Sequence, residues 1–274
     1  MAPDTQGPEA ADGTRGAGEV QRLDVLGVGL TPVELPRAVE VIGGWIDAGR
    51  REYVCAVDVN SLMHAYRDPR ICEVLEGAGL ATADGAPLYW AGKYAGYPAC
   101  GRTAGPRLMP ALCTEAARRG WRVLFLGGEE GVPEKVADAM REIAPGLEVV
   151  GTISPPFRPL TDEEDAELVA TINAARPDIV WVAFGAPRQE LWMAAHRDRL
   201  DAAVLIGVGA AFAIHAGLVS EAPAWIQPTG LEWVYRISRE PRRLVGRYAR
   251  SHPAFVSAVV RRPPQLRPAP PGTP

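Results

Sequence analysis

Several things are scarce in this 274-residue chain, and each scarcity closes off a class of function. Only four cysteines occur (Cys55, Cys72, Cys100 and Cys113), with no C-x-x-C pair and no short metal spacing. Neither a C-x-x-C redox pair nor a zinc ribbon is offered, and reduced thiols in a cytosolic protein are expected. The four histidines are scattered without an H-E-x-x-H pair, so no metal site is expected. No apolar run approaches the roughly 18 residues of a membrane span. The first 20 residues are mostly Gly, Ala, Pro and acid, unlike the apolar stretch of a signal peptide. A cytosolic location is expected, with attachment to a membrane surface left open. The two glycine-rich stretches, FLGGEEGVPEK (125–135) and GVGAAF (207–212), meet neither G-x-x-x-x-G-K-[ST] nor G-x-G-x-x-G. The P-loop and dinucleotide fingerprints are therefore lacking.

What is present is ordinary in bulk and uneven in detail. Hydrophobic residues make up 47% and charged residues 23%, values of a soluble globular protein. The net charge is −4, yet residues 236 to 274 carry nine Arg against one Glu, or +8, which leaves −12 for the rest. A basic end on an acidic body calls for an anionic partner such as phosphate or an acidic lipid surface. Nucleic acid is disfavoured, because the body is acidic and no recognition motif is present.

Apolar runs alternate with helical patterns along the chain. Strands are expected at LDVLGVGL (23–30), YVCAVDV (53–59), LATADG (80–85), WRVLFLGG (121–128), LEVVGTI (147–153), DIVWVAFG (178–185) and AAVLIGVGAAF (202–212). Thr31 and Pro32 read as the N-cap and first turn of a helix, and Thr161 with Glu164 reads as a capping box. The runs at 121–126, 179–184 and 203–208 are apolar throughout, as in parallel strands covered on both faces. The expected fold is α/β: an open, mostly parallel, doubly wound (Rossmann-like) sheet with a basic helical C-terminal appendage. The expected layout is a disordered leader (1–20), an α/β core (21–228), an Arg-rich helical appendage (229–261) and a disordered Pro-rich tail (262–274).

In such folds ligands sit beyond the carboxyl ends of the strands. The residues at those ends are Asp58, Asp84 with Gly85, Gly127 with Gly128, Gly185 to Glu190, and Gly207 to Phe212. Each glycine there could serve only a tight turn, but five such ends on one edge point to a site. Asp84 could act as a general base or simply form an Asp-Gly turn. At the VWVAFGAPRQELW junction, Arg188, Gln189 and Glu190 stand side by side where a strand gives way to a helix. In GLEWVYRISREPRRLVGRYAR (230–250), arginines crowd around apolar patches. That suits diphosphate recognition, since the guanidinium fork binds phosphate oxygens bidentately, or an interfacial amphipathic helix.

The motifs ADGAP (83–87), RTAGPRLM (102–109), FLGG (125–128), GTISPPF (151–157), FGAPRQELW (184–192), GVGAAF (207–212) and GLEWVYRISREPRR (230–243) occur in order from about Leu23 to Phe255. Together they resemble the WecG/TagA/CpsF family of bacterial glycosyltransferases. The resemblance implies inverting transfer of a hexose or N-acetylhexosamine, N-acetylmannosamine among them, from a UDP-sugar to a polyprenyl-diphosphate-linked sugar. Such transfer builds cell-surface polysaccharide or teichoic-acid-type polymers. It also implies no cofactor, no metal, and an appendage that meets the inner face of the membrane and completes the site.

Residue by residue, the resemblance makes Asp84 the base and Arg102 an active-site arginine. Gln189, with Gly185, Arg188, Glu190, Gly209 and Asp58, then lines the sugar-nucleotide pocket. Arg236 and Arg243, with Arg247 as a nearby candidate, would hold the diphosphate. Four positions depart from the family pattern: Ala56 stands for Thr, Asp58 for Asn, Arg107 for Asp and Ala213 for Asp. Arg107 is then the candidate counter-charge to Asp58. The departures leave open a soluble secondary-metabolite acceptor, or a catalytically silent UDP-sugar-binding protein. The oligomeric state, including a homo-oligomer, is also left open.

Overall fold

The computed structural model describes residues 21–97, 100–220, 222–223, 226, 232–239 and 241–269; the leader lies outside them. The chain opens as an antiparallel hairpin, β1 (Gln21–Val25) and β2 (Val28–Leu30), where the sequence reads as one strand. Leu26 and Gly27 both take positive φ, 58° and 93°, the geometry of a two-residue hairpin turn. A leucine at the first turn position conceals that turn. Its burial, at 4% exposure, offsets the left-handed backbone.

Thr31 does not start a helix. Its N–H donates to Ala81 O at 2.7 Å, which keeps it extended. Helix α1 (Leu35–Asp47) begins later, with Glu34 as N-cap and Pro36 in its first turn. Then follow β3 (Glu52–Val57), α2 (Val59–Arg67), α3 (Pro69–Glu76), β4 (Leu80–Ala83), α4 (Ala86–Tyr94) and α5 (Gly105–Arg119). The second half runs β5 (Arg122–Gly127), α6 (Val132–Ile143), β6 (Glu148–Ile153), α7 (Asp162–Ala175), β7 (Ile179–Ala183), α8 (Arg188–His196), β8 (Val204–Gly207) and α9 (Ala211–His215). The expected strand 202–212 is therefore split, with its last residues turning into α9. The Thr161–Glu164 capping box forms as expected. Helices α10 (Glu232–Arg239) and α11 (Pro241–Arg261) follow, then β9 (Gln265–Pro268).

Strands β3 to β8 form one six-stranded, all-parallel sheet of order β4-β3-β8-β7-β5-β6. Alternate residues of β7 supply both faces: Ile179 and Trp181 pack on one side, Val180 and Val182 on the other. Residues of α1, α5 and α6 cover the first face, and those of α2, α3, α7 and α8 the second. This double cover explains the unbroken apolar runs.

Residues 262–269, where a disordered tail is expected, carry a strand, and 270–274 lie outside the described residues. β9 pairs antiparallel with β1, setting Leu266 opposite Leu23, and Arg267 pairs with Glu76. Proline is tolerated at an edge strand, so the Pro-rich composition does not prevent this. Helix α11 packs along α2, and its Phe255 and Ala258 join the core of the second face.

Candidate active site

The carboxyl ends of β3, β4, β7 and β8 meet at a cavity of about 300 Å³. The chain leaves β3 for α2 on the second face and leaves its neighbour β8 for α9 on the first, so the two connections part at this edge. Such a switch point opens a crevice in a doubly wound sheet.

Asp84 stands at the end of β4, half-buried, with its backbone N–H held by Val57 O at 2.8 Å. Gly85 follows at φ 101° and caps α4, so the chain turns sharply and leaves the carboxylate at the crevice. The segment carrying Arg102 is fixed beside it. Thr103 N–H donates to Ala83 O at 3.2 Å, and the Thr82 hydroxyl donates to Thr103 O at 2.9 Å. Gly101 makes this approach possible: a Cβ there would lie 2.4 Å from Glu34 N. Asp84 and Arg102 both line the cavity.

The three side chains of the Arg188–Glu190 run go to three different places. Gln189 is 3% exposed and lines the 300 Å³ cavity with Gly185 and Gly209. Its amide donates to Glu190 Oε1 at 3.0 Å, and its own Oε1 is buried without a partner among the described residues. Gly207 provides its room, since a Cβ there would come within 3.1 Å of the amide nitrogen. Glu190, 1% exposed, lies behind the wall rather than on it. Burial pushes its carboxyl up to about 7, and the charge of Asp58 adds to the rise. Arg188 turns away into a separate cleft of about 780 Å³ and covers the Phe157 ring at 4.9 Å. The placement thus separates Arg188 and Glu190 from the wall that the sequence assigned to all three.

Asp58 lines the cavity and also caps α2, accepting from Ser61 N–H at 2.7 Å. The capping hydrogen bond satisfies one of the orphan donors of the helix end. Arg107 lines the same cavity, but among the described residues no ion pair joins it to Asp58. Ala56 and Ala213 are lining residues too. All four positions that depart from the family pattern therefore face one space.

A second, smaller cavity of about 90 Å³ shares Asp58, Asp84 and Arg102 with the first. Its outer side comes from the appendage: Glu232 and Trp233 of α10, Tyr248 and His252 of α11. Arg102 forms an ion pair with Glu232, which links the core segment to α10. The rings of Tyr248 and His252 lie 4.4 Å apart, with Trp233 6.3 Å from each. Sequence reasoning passed over Glu232 and His252. The signal available was the arginine-rich appendage itself, in which two carboxylates, Glu232 and Glu240, and one imidazole stand among cations. Arg236 is on α10 and Arg243 and Arg247 on α11; their side chains lie outside the described residues.

All four cysteines are free. No described helix is long and apolar enough to cross a membrane.

A carboxylate, a guanidinium and a buried amide converge at the switch point of a Rossmann-like sheet, under a helical appendage. That arrangement defines a Rossmann-like α/β protein with a polar ligand crevice at its strand ends. The chain belongs to the WecG/TagA/CpsF family of glycosyl transferases, whose sequence model matches residues 23–268. It is 29% identical over 217 residues to the N-acetylglucosaminyldiphosphoundecaprenol N-acetyl-beta-D-mannosaminyltransferase of Bacillus spizizenii, a match that spans 79% of this chain and 82% of that protein.

Proposed function

We propose that this glycosyltransferase moves a hexose or N-acetylhexosamine from a UDP-sugar to a sugar carried on polyprenyl diphosphate, with inversion, at the inner face of the cell membrane. The observation that carries the reading is the position of Asp84 and Arg102. Both line the crevice at the strand ends and also the space completed by the appendage. A donor in the first and an acceptor in the second would meet at Asp84. The B. spizizenii relative, by its name, transfers N-acetylmannosamine to a lipid-diphosphate-linked N-acetylglucosamine. That supports an acceptor of the same class here.

In this reading the acceptor hydroxyl attacks the anomeric carbon from the face opposite UDP. The Asp84 carboxylate takes the hydroxyl proton as the new C–O bond forms. The bond from the anomeric carbon to the β-phosphate oxygen breaks, and its electron pair leaves on UDP. Guanidinium groups near that oxygen stabilise the developing charge, with Arg102 and the appendage arginines as the candidates. The proposed chemistry uses this protein charge in place of a divalent ion. In this reading Gln189 contacts a hydroxyl or amide of the donor sugar, which is supported by its buried amide oxygen, without a partner among the described residues, and by its amide nitrogen held by Glu190.

A second reading, a soluble acceptor, draws on the four altered lining positions Ala56, Asp58, Arg107 and Ala213. A panel of UDP-sugars scored for UDP release, with lipid-linked acceptor, with soluble acceptors, and with EDTA, tests both readings. Release that requires the polyprenyl-diphosphate sugar and survives EDTA is expected. Release with soluble acceptors alone selects the second reading, and UDP binding without release under any condition removes both.

A further inference from the structure

Beyond the polar crevice lies a groove of opposite character. It has a volume of about 460 Å³ and is lined by Pro87, Trp90 and Tyr94 of α4 and by Phe255, Val259 and Val260 of α11, with Ala91, Pro263 and Pro264. No lining side chain carries a charge. Trp90 is 52% exposed, Tyr94 76% and Val260 75%, an unusual concentration of large apolar surface in water.

The groove continues the candidate active site. Pro87 lines both the 90 Å³ cavity at Asp84 and the groove. Helix α4 starts beside Asp84 and Gly85 and carries Pro87, Trp90 and Tyr94 successively further away. Helix α11 does the same: Tyr248 and His252 face the cavity, and Phe255 and Val259 face the groove one and two turns later. Two helices thus leave the site side by side with an apolar channel between them. From Pro87 to Tyr94 the channel extends about 10 Å at the helical rise.

We propose that this groove holds the first isoprene units of the lipid-linked acceptor while its diphosphate-sugar end occupies the cavity at Asp84. The inference rests on the acceptor class proposed above and adds where the chain of that acceptor goes. Only a ligand with a polar head and an apolar tail joined end to end fits a charged cavity that opens directly into an uncharged channel. A free sugar or sugar nucleotide would leave the channel empty.

The test is direct binding of farnesyl diphosphate, below its micelle concentration, against inorganic diphosphate. The full chain is expected to prefer the farnesyl compound by at least about tenfold, the return on burying several methylene equivalents. Trp90→Gln and Val260→Gln, both at exposed positions that folding tolerates, are expected to bring the preference close to one without changing UDP affinity. Ile143→Gln on α6, also half exposed but remote from the groove, is expected to leave it unchanged. A farnesyl preference absent from the wild type, or equal in wild type and both groove variants, overturns the proposal. So does loss of binding to phosphatidylcholine vesicles in the variants with farnesyl preference intact, which would make the patch a bilayer contact. Because the readout needs no donor and no turnover, a preference that persists where no lipid acceptor is glycosylated would sink the transfer reading and leave the groove standing.

Discussion

Gln189 donates its side-chain amide to Glu190 at 3.0 Å, and so two consecutive residues of one helix turn fix each other. The pair explains why the family junction sets an amide beside a carboxylate. Gln189 faces the cavity, and Glu190, behind it, holds the amide nitrogen, while the amide oxygen has no partner among the described residues. Arg188, one residue earlier, belongs to a different cleft altogether.

The burial of Glu190 has a consequence for stability. Its carboxyl sits at about 7 in the fold against 4.5 when unperturbed, chiefly because burial disfavours the charge. The folded state therefore keeps its proton over a range where the unfolded chain has lost it. Stability from this group is full below about 4.5, falls as pH rises and reaches its minimum above about 7, a loss on the order of 3 kcal/mol at most. Glu190→Gln keeps the acceptor for Gln189 and removes the titration. Urea midpoints at pH 5 and pH 8 should show the variant gaining on the wild type at the higher pH. An offset equal at both would show that Glu190 is not held protonated.

The sheet was legible because period and burial agree in it. Val180, Trp181 and Val182 are all fully buried, and only a strand covered on both faces is apolar at every position. The hairpin was not legible, because its turn is Leu26-Gly27 and not the Asn-Gly or Asp-Gly that announces such turns. Nor was β9, whose order comes from pairing with β1, more than two hundred residues earlier, and from the Arg267–Glu76 ion pair. In the site, a strand end reveals that Asp84 lies at the ligand edge. It does not reveal that Arg188 and Gln189 point apart, because side-chain direction at a junction depends on the turn geometry. Glu232 was hidden for a related reason: its partner is Arg102, across the chain.

The close approach at Gly101 predicts a large effect from a small change. A methyl group there would meet the backbone of Val33 and Glu34 at 2.4 to 2.5 Å, and backbone cannot step aside as a side-chain tip can. Gly101→Ala is expected to cost about 2 kcal/mol or more. Gly44, exposed in the interior of α1 with nothing within 4 Å of its would-be Cβ, is the contrast. Gly44→Ala should stabilise by about 0.5–1 kcal/mol through helix propensity. Thermal melts of the two variants check both signs; a Gly101→Ala protein as stable as wild type would contradict the packing beside Arg102.

Asp84→Asn separates chemistry from binding. The amide keeps the size and a hydrogen-bonding oxygen but cannot take the acceptor proton. Transfer is expected to fall by about 10²–10⁴-fold, the usual contribution of a positioned base. UDP affinity, measured by calorimetry, should stay within about twofold, since this reading gives Asp84 no contact with the nucleotide. Undiminished turnover would remove Asp84 from the role of base, and loss of UDP binding would make it a structural or donor-binding residue.

The Arg102–Glu232 pair can be one of two things, a tether for the appendage or a resting contact for a cation that serves the diphosphate. Both side chains are largely shielded, 14% and 28% exposed, so breaking the pair should cost more than a surface pair does, about 1–3 kcal/mol. Glu232→Gln and Arg102→Gln should each loosen α10, seen as faster proteolysis within the appendage. The exchanged pair, Arg102→Glu with Glu232→Arg, discriminates. A tether would recover both protease resistance and transfer, because attraction across the contact is restored. A cation needed at the diphosphate would recover resistance alone, because position 102 now presents a negative charge to another. The second outcome is expected under the proposed function, from the place of Arg102 with Asp84 in the walls of both cavities.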